Sequence, residues 1–138
     1  AHPPGVDAGW ADRFGIRTHA AVPTDFVVRN NRLENVSTGL GFWSAEAGTT
    51  NIAHDNVFVN GGTVLADDEW RGTTFTRNDA TGFLSSFRGV NDPSANYRCN
   101  WWGSEAGPVM PPHVAPETYT PWATQPVAGN DSPCNPTP

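Results

Sequence analysis

Six tryptophans in a chain of 138 residues raise the first chemical question. A flat indole stacks on the face of a pyranose ring, and the same side chain is enriched at protein interfaces. Trp43 and Trp70 fall at the corners of a repeat described below, where an exposed aromatic patch would contact a glycan or another subunit. Trp101, Trp102 and Trp122 lie in one C-terminal stretch and read as core or cap. Beside Trp70 stand Arg71 and the densest acidic cluster, Asp67-Asp68-Glu69, whose plain reading is a solvated turn. His2, His19, His54 and His113 show no HExxH or paired spacing, so no histidine metal site is expected. No glycine-rich phosphate loop and no GxSxG elbow occurs, which disfavours a nucleotide enzyme and an α/β-hydrolase. No residue stands out as catalytic.

The two cysteines, Cys99 and Cys134, are too far apart for a CxxC redox or zinc motif, and a single disulfide is the simplest reading. On the chain-entropy model it would stabilise the fold by up to about 3.8 kcal/mol. Such a bond implies an oxidising compartment, hence a secreted, extracellular or cell-surface protein. The net charge of -6, with no lysine, argues against a nucleic-acid partner, which needs a basic face. No apolar run approaches the roughly 20 residues that span a bilayer as a helix.

The elements that position these side chains follow from an internal repeat. Gly48-Thr49-Thr50 recurs as Gly72-Thr73-Thr74, and each triplet is followed by a short apolar stretch and an Asn/Asp step. With an earlier copy at Phe26-Val27-Val28-Arg29-Asn30-Asn31, the corner residues Asn31, Asn56 and Asp79 recur at a mean period of 24. Leu33 and Phe58 stand two positions after the first two corners, and Phe83 completes the expected interior column. Fourteen glycines, with Asn at the corners, favour strands of three to five residues joined by tight turns. Such a unit cannot bury its apolar face alone, whereas stacked units can. The fold expected is therefore all-β, a short parallel β-helix (solenoid) of about three to four coils. Asn31, Asn56 and Asp79 would lie above one another, bonding along the stack as an asparagine ladder.

The stretch Val28-Arg29-Asn30-Asn31-Arg32-Leu33-Glu34-Asn35 resembles the coil signature of pectate-lyase-like and NosD-like right-handed β-helix proteins. Cys99-Asn100-Trp101-Trp102-Gly103-Ser104-Glu105-Ala106-Gly107-Pro108, followed by Tyr119-Thr120-Pro121-Trp122, is similar to the segment that closes many such helices. The resemblance covers about Asp25 to Trp122 and implies a right-handed winding. It also implies that Asp67, Asp68 and Glu69 could bind a hard cation such as Ca2+ through oxygen ligands, with Arg71, Arg77 or Arg88 meeting an acidic sugar. Family members carry many more coils, and their usual N-terminal capping helix is not evident here.

The expected organisation is an N-terminal cap or arm over 1–24, coils over 25–103 and a proline-rich strap over 104–138. Stacked coils expose unpaired backbone groups at both ends, and a head-to-tail contact between copies would satisfy them. The leading expectation is thus a secreted, non-catalytic structural solenoid that self-associates end to end into a filament or surface layer. The alternative is a polysaccharide-binding module, or part of a polysaccharide lyase.

Overall fold

Short apolar stretches separated by residues that tolerate left-handed backbone build parallel strands in this chain. The computed structural model describes residues 14–18, 24–42, 49–68, 73–89, 92 and 94–127. These form β1 (Phe14–Thr18), β2 (Asp25–Arg29), β3 (Arg32–Phe42), β4 (Thr50–His54), β5 (Val57–Asp67), β6 (Thr74–Thr76) and β7 (Asp79–Gly89). The described residues contain no α-helix, only a 3-10 turn at Pro116–Thr118. The strands form two sheets, in the orders β1-β3-β5-β7 and β2-β4-β6. Every pairing is parallel. The architecture is all-β and compatible with a β-solenoid.

Register gives the repeat length directly. Phe14 pairs with Thr38, Arg32 with Val57, Val57 with Asp79, and Asp79 bridges to Trp101. The steps are 24, 25, 22 and 22 residues. The shortening from 25 to 22 lies in the connection between long and short strands, because Thr74 pairs with Ile52 rather than with Thr50. The Gly-Thr-Thr triplets are therefore not register partners. Within the expected N-terminal cap or arm over 1–24, β1 extends the first sheet beyond β3.

Each long strand bends at a residue of positive φ: Asn35 at 58°, Asn60 at 60° and Gly82 at 78°. Their neighbours Glu34, Val59 and Thr81 are in register, as are Val36, Gly61 and Phe83, so the three bends stack. A Cβ on Gly82 would come within 2.3 Å of Asn60 Oδ1, so a larger residue there would need the Asn60 side chain to move. Between bends, alternate side chains point inward. The interior columns are Val28–Ala53–Phe75, Leu40–Leu65–Phe87 and Leu33–Phe58–Ala80. Ala80 thus replaces the expected Phe83, which pairs with Gly61 instead. The rings of Phe58, Phe75 and Trp102 follow one another at 5.9 and 5.7 Å. Burying each such side chain is worth about 1.5–3 kcal/mol.

The corner between short and long strands carries the ladder. Asn31 donates from its backbone N–H and from Nδ2 to Asn56 Oδ1, both at 3.0 Å. Asn56 does the same to Asn78 Oδ1 at 2.9 Å, and Asn78 to Asn100 Oδ1 at 2.9 and 3.1 Å. The Nδ2 groups also reach strand-end carbonyls, as Asn78 does with Ala53 and Thr76. Each ladder residue follows one in left-handed conformation, namely Asn30, Asp55, Arg77 and Cys99. The third rung is Asn78, which corrects the assignment of Asp79. Asp79 begins β7 and faces the other way, pairing with Val57.

The stack closes at its C-terminal end. Arg77 N–H donates to Cys99 O, and Cys99 N–H donates in turn to Pro121 O. Trp122 then stands where the next asparagine would be, and the ladder stops. Trp122 Nε1–H donates to Glu105 O at 2.9 Å, Tyr119 stacks on its ring, and Gly107 leaves room for the indole. Backbone bonds from Tyr97 to Thr118 and from Ala123 to Asn100 carry the pairing past residue 103, so no break falls at the expected strap boundary. Replacing Asn78 by Ala should lower stability by roughly 3 kcal/mol, because it leaves buried donors and acceptors unmatched. Asn31→Ala, at the half-buried first rung, should cost under about 1 kcal/mol. Urea titrations read both as midpoint shifts at constant slope.

Candidate functional site

Residues that point away from the core on the long strands line one groove. Arg32, Val57, Asp79 and Trp101 are successive register partners, and Val59 and Thr81 lie beside them. With Asn60, Gly82 and Pro126 they enclose about 650 Å³, within the range of ligand sites. The floor runs across strands, three spacings or roughly 14 Å from Arg32 to Trp101. Pro126 returns over it as one wall, and the next residue, Val127, donates its N–H to Asp79 Oδ1 at 2.5 Å. Arg32 pairs with Glu34 on the exposed rim.

A smaller hollow of about 220 Å³ adjoins the groove and shares Val57 and Asp79 with it. Asn30, Asp55 and Arg77 complete its edge. The left-handed conformations of Asp55 and Arg77 turn both residues out of the strand path. Asp55 Oδ2 lies 2.6 Å from His54 Nδ1, and Arg77 Nε donates to Asp55 Oδ1 at 3.3 Å. The hydrogen bond from His54, aided by the Arg77 charge, holds the Asp55 carboxyl below its ordinary value. It is a carboxylate at neutral pH and not a proton donor. The groove thus offers one indole, small apolar side chains and a border of hydrogen-bonding groups whose carboxylates are already engaged. Such a lining suits a hydroxyl-rich ligand.

The structure distributes the expected site residues differently. Asp67 is fully buried, with Tyr97 Oη–H donating to Oδ2 and Thr73 Oγ1 lying 3.3 Å from Oδ1. Asp68 is exposed, and Glu69, Trp43, Trp70 and Arg71 lie outside the described residues. Asp67 and Asp68 therefore do not share a surface. Among the described residues no group of three or more His, Cys, Asp and Glu is placed to hold a metal ion. Arg77 belongs to the hollow, whereas Arg88 donates to Thr38 Oγ1 at 3.3 Å. No described cysteine is free; Cys99 sits in the ladder corner, and Cys134 lies outside the described residues. Sequence reasoning placed Trp101 in the core or cap and missed its outward face. The alternation could have shown it, because Trp102 takes the inward position two residues after Asn100.

No family model matches the chain, and no curated protein or solved structure matches it either.

Burial, and then the Asp67 charge, push the Tyr97 phenol well above its ordinary value. A group whose proton is held more tightly in the folded state contributes full stability below its unfolded pKa, near 10 for Tyr, and loses it as pH rises further. Tyr97→Phe should therefore cost about 1–3 kcal/mol at pH 7, by leaving an Asp67 oxygen short of a donor, and should flatten the alkaline loss of stability. Thermal melts at pH 7 and pH 11 read both effects.

Proposed function

We propose that the two parallel sheets belong to a short right-handed β-solenoid, and that its lateral groove binds an extended polysaccharide chain without cleaving it. The observation that supports this is the groove itself, an open channel across successive strands with the Trp101 indole at one end and hydrogen-bonding groups along it. Indole faces take sugar rings by stacking, and Arg32, Asn60, Asp79 and Thr81 place polar groups along the channel. The carboxylates nearest the channel favour binding over cleavage. Asp55 is held ionised between His54 and Arg77, and Asp79 accepts the strap N–H of Val127.

The end-to-end filament is less well supported. It needs both ends of the stack open to strand addition, and the C-terminal end carries Pro121 and Trp122 where the next pairing residues would stand. Proline offers no donor, and natural sheets use it to block extension. A disulfide between Cys99 and Cys134 would tie the strap to the ladder corner and would fit a secreted protein.

Titrating the protein with oligosaccharides of neutral and uronic-acid type, followed by tryptophan fluorescence and calorimetry, tests the reading. Binding to at least one series is expected, with Trp101→Ala weakening it tenfold or more and no unsaturated product absorbing at 235 nm. Absence of binding across both series overturns the reading, and product formation would assign catalysis instead. Intact mass before and after reduction should differ by two hydrogens if the disulfide is present.

A further inference from the structure

Among the described arginines only Arg32 and Arg77 line the groove or the hollow beside it. Both already face carboxylates of the chain. Arg32 donates from Nε to Glu34 on the exposed rim, and Arg77 donates from Nε to Asp55 Oδ1 at 3.3 Å. The remaining charged residue of the lining is Asp79, the register partner of Trp101, roughly one 4.8 Å strand spacing from it. Two arginines therefore stand against three carboxylates, with Glu34 included. Protonation of His54, which contacts Asp55, brings that balance to neutrality and no further. Across the whole chain 8 basic residues, all arginine, oppose 14 acidic ones, and beyond Val127 the sequence adds Asp131 and no cation.

A polyuronate carries a carboxylate on every ring, and a site for it needs uncommitted positive charge. Carboxylates are recognised best by the paired N–H groups of an arginine, which hold them bidentately. In this groove a uronate has to compete with Glu34 for Arg32 and with Asp55 for Arg77. Asp55 is a persistent competitor, because the hydrogen bond from His54 and the Arg77 charge keep it ionised. A ring stacked on Trp101 meets a further obstacle in Asp79. A hydroxyl tolerates a carboxylate nearby, whereas a second carboxylate is repelled by it, more strongly beside apolar walls such as Val57 and Val127 than in open water. Of the arginines that the family resemblance sets against an acidic sugar, Arg77 faces Asp55 and Arg88 donates to Thr38, outside the groove.

Taking the groove as the polysaccharide site, we infer that it selects uncharged polymers and discriminates against polyuronates, with Asp79 and Glu34 setting the selectivity. An uncharged ring keeps the stacking on Trp101 and the hydroxyl contacts along the channel without that repulsion. The negative field of the chain acts in the same direction on approach.

Calorimetric titrations with neutral gluco-, manno- and xylo-oligosaccharides, and with oligogalacturonates and oligoalginates of matched length, test the selectivity at low and at moderate salt. At least one neutral series should bind, and each uronate series should bind at least tenfold more weakly, with the gap narrowing as salt screens the carboxylates. Glu34→Gln, on the exposed rim, should narrow the ratio of neutral to uronate affinity threefold or more. Asp79→Asn, which keeps an acceptor for the Val127 N–H, should do the same. Loss of structure alone would weaken both series alike and leave the ratio where it was. A uronate series bound within tenfold of the best neutral one, or a ratio that neither substitution moves, overturns the selectivity and leaves the groove as a binding site. No binding in any series overturns both.

Discussion

Each amide in the corner column before Asn100 is held by the amide of the following repeat, and the rest of the structure depends on this one-directional bonding. Asn31, Asn56 and Asn78 each send two donors into the next Oδ1, while their carbonyls receive the N–H groups of Val57, Asp79 and Trp101. Three of the four ladder residues are almost fully buried, so an unpaired amide there would be costly. A slip of one residue would break every rung and turn the apolar columns outward. The ladder therefore fixes register for both sheets at once, and the long strands inherit from it which side chains face the groove.

This dependence explains what could be read from the sequence. A period near 24, parallel strands and asparagine corners were legible because they rest on residue types with strong local preferences. The exact rung was not. Asn78-Asp79 offers two candidates, and a mean spacing drawn from Asn31 and Asn56 favoured Asp79. The equal steps from Asn56 to Asn78 to Asn100 carried the better signal. They were obscured because the residue before each rung adopts positive φ whatever its type, and Arg77 and Cys99 do not advertise that conformation as Asn30 and Asp55 do. Loop length hid the rest. Between register-matched positions the path after β5, Asp67 to Thr74, is three residues shorter than the path after β3, Phe42 to Ile52, so the spacing of the Gly-Thr-Thr triplets did not follow the register.

The acidic residues show why composition alone misplaced the site. Asp67 belongs to a run of three acids that reads as solvated surface, but strand alternation turns it inward against Tyr97 and Thr73. Asp55 and Asp79 are isolated in sequence, yet stacking brings them to one hollow beside Arg77. In a fold built from repeats, side chains about 22 to 25 residues apart are neighbours. Chemistry is then found by aligning repeats and not by scanning for local clusters.

A ladder with a direction also gives the molecule two unlike ends. Asn100 is the last acceptor, and beyond it the chain supplies an indole and a proline in place of an amide. At the other end β1 stands one repeat beyond the second sheet, whose first described strand is β2. A continuous stack needs each end to match the other. The proline and indole at the C-terminal end weigh against this arrangement. The segment that stops the ladder at Pro121 and Trp122 also brings Pro126 over the outer face as a wall of the groove, with Val127 N–H bonded to Asp79. Ending the stack and shaping the site are thus two consequences of one C-terminal segment.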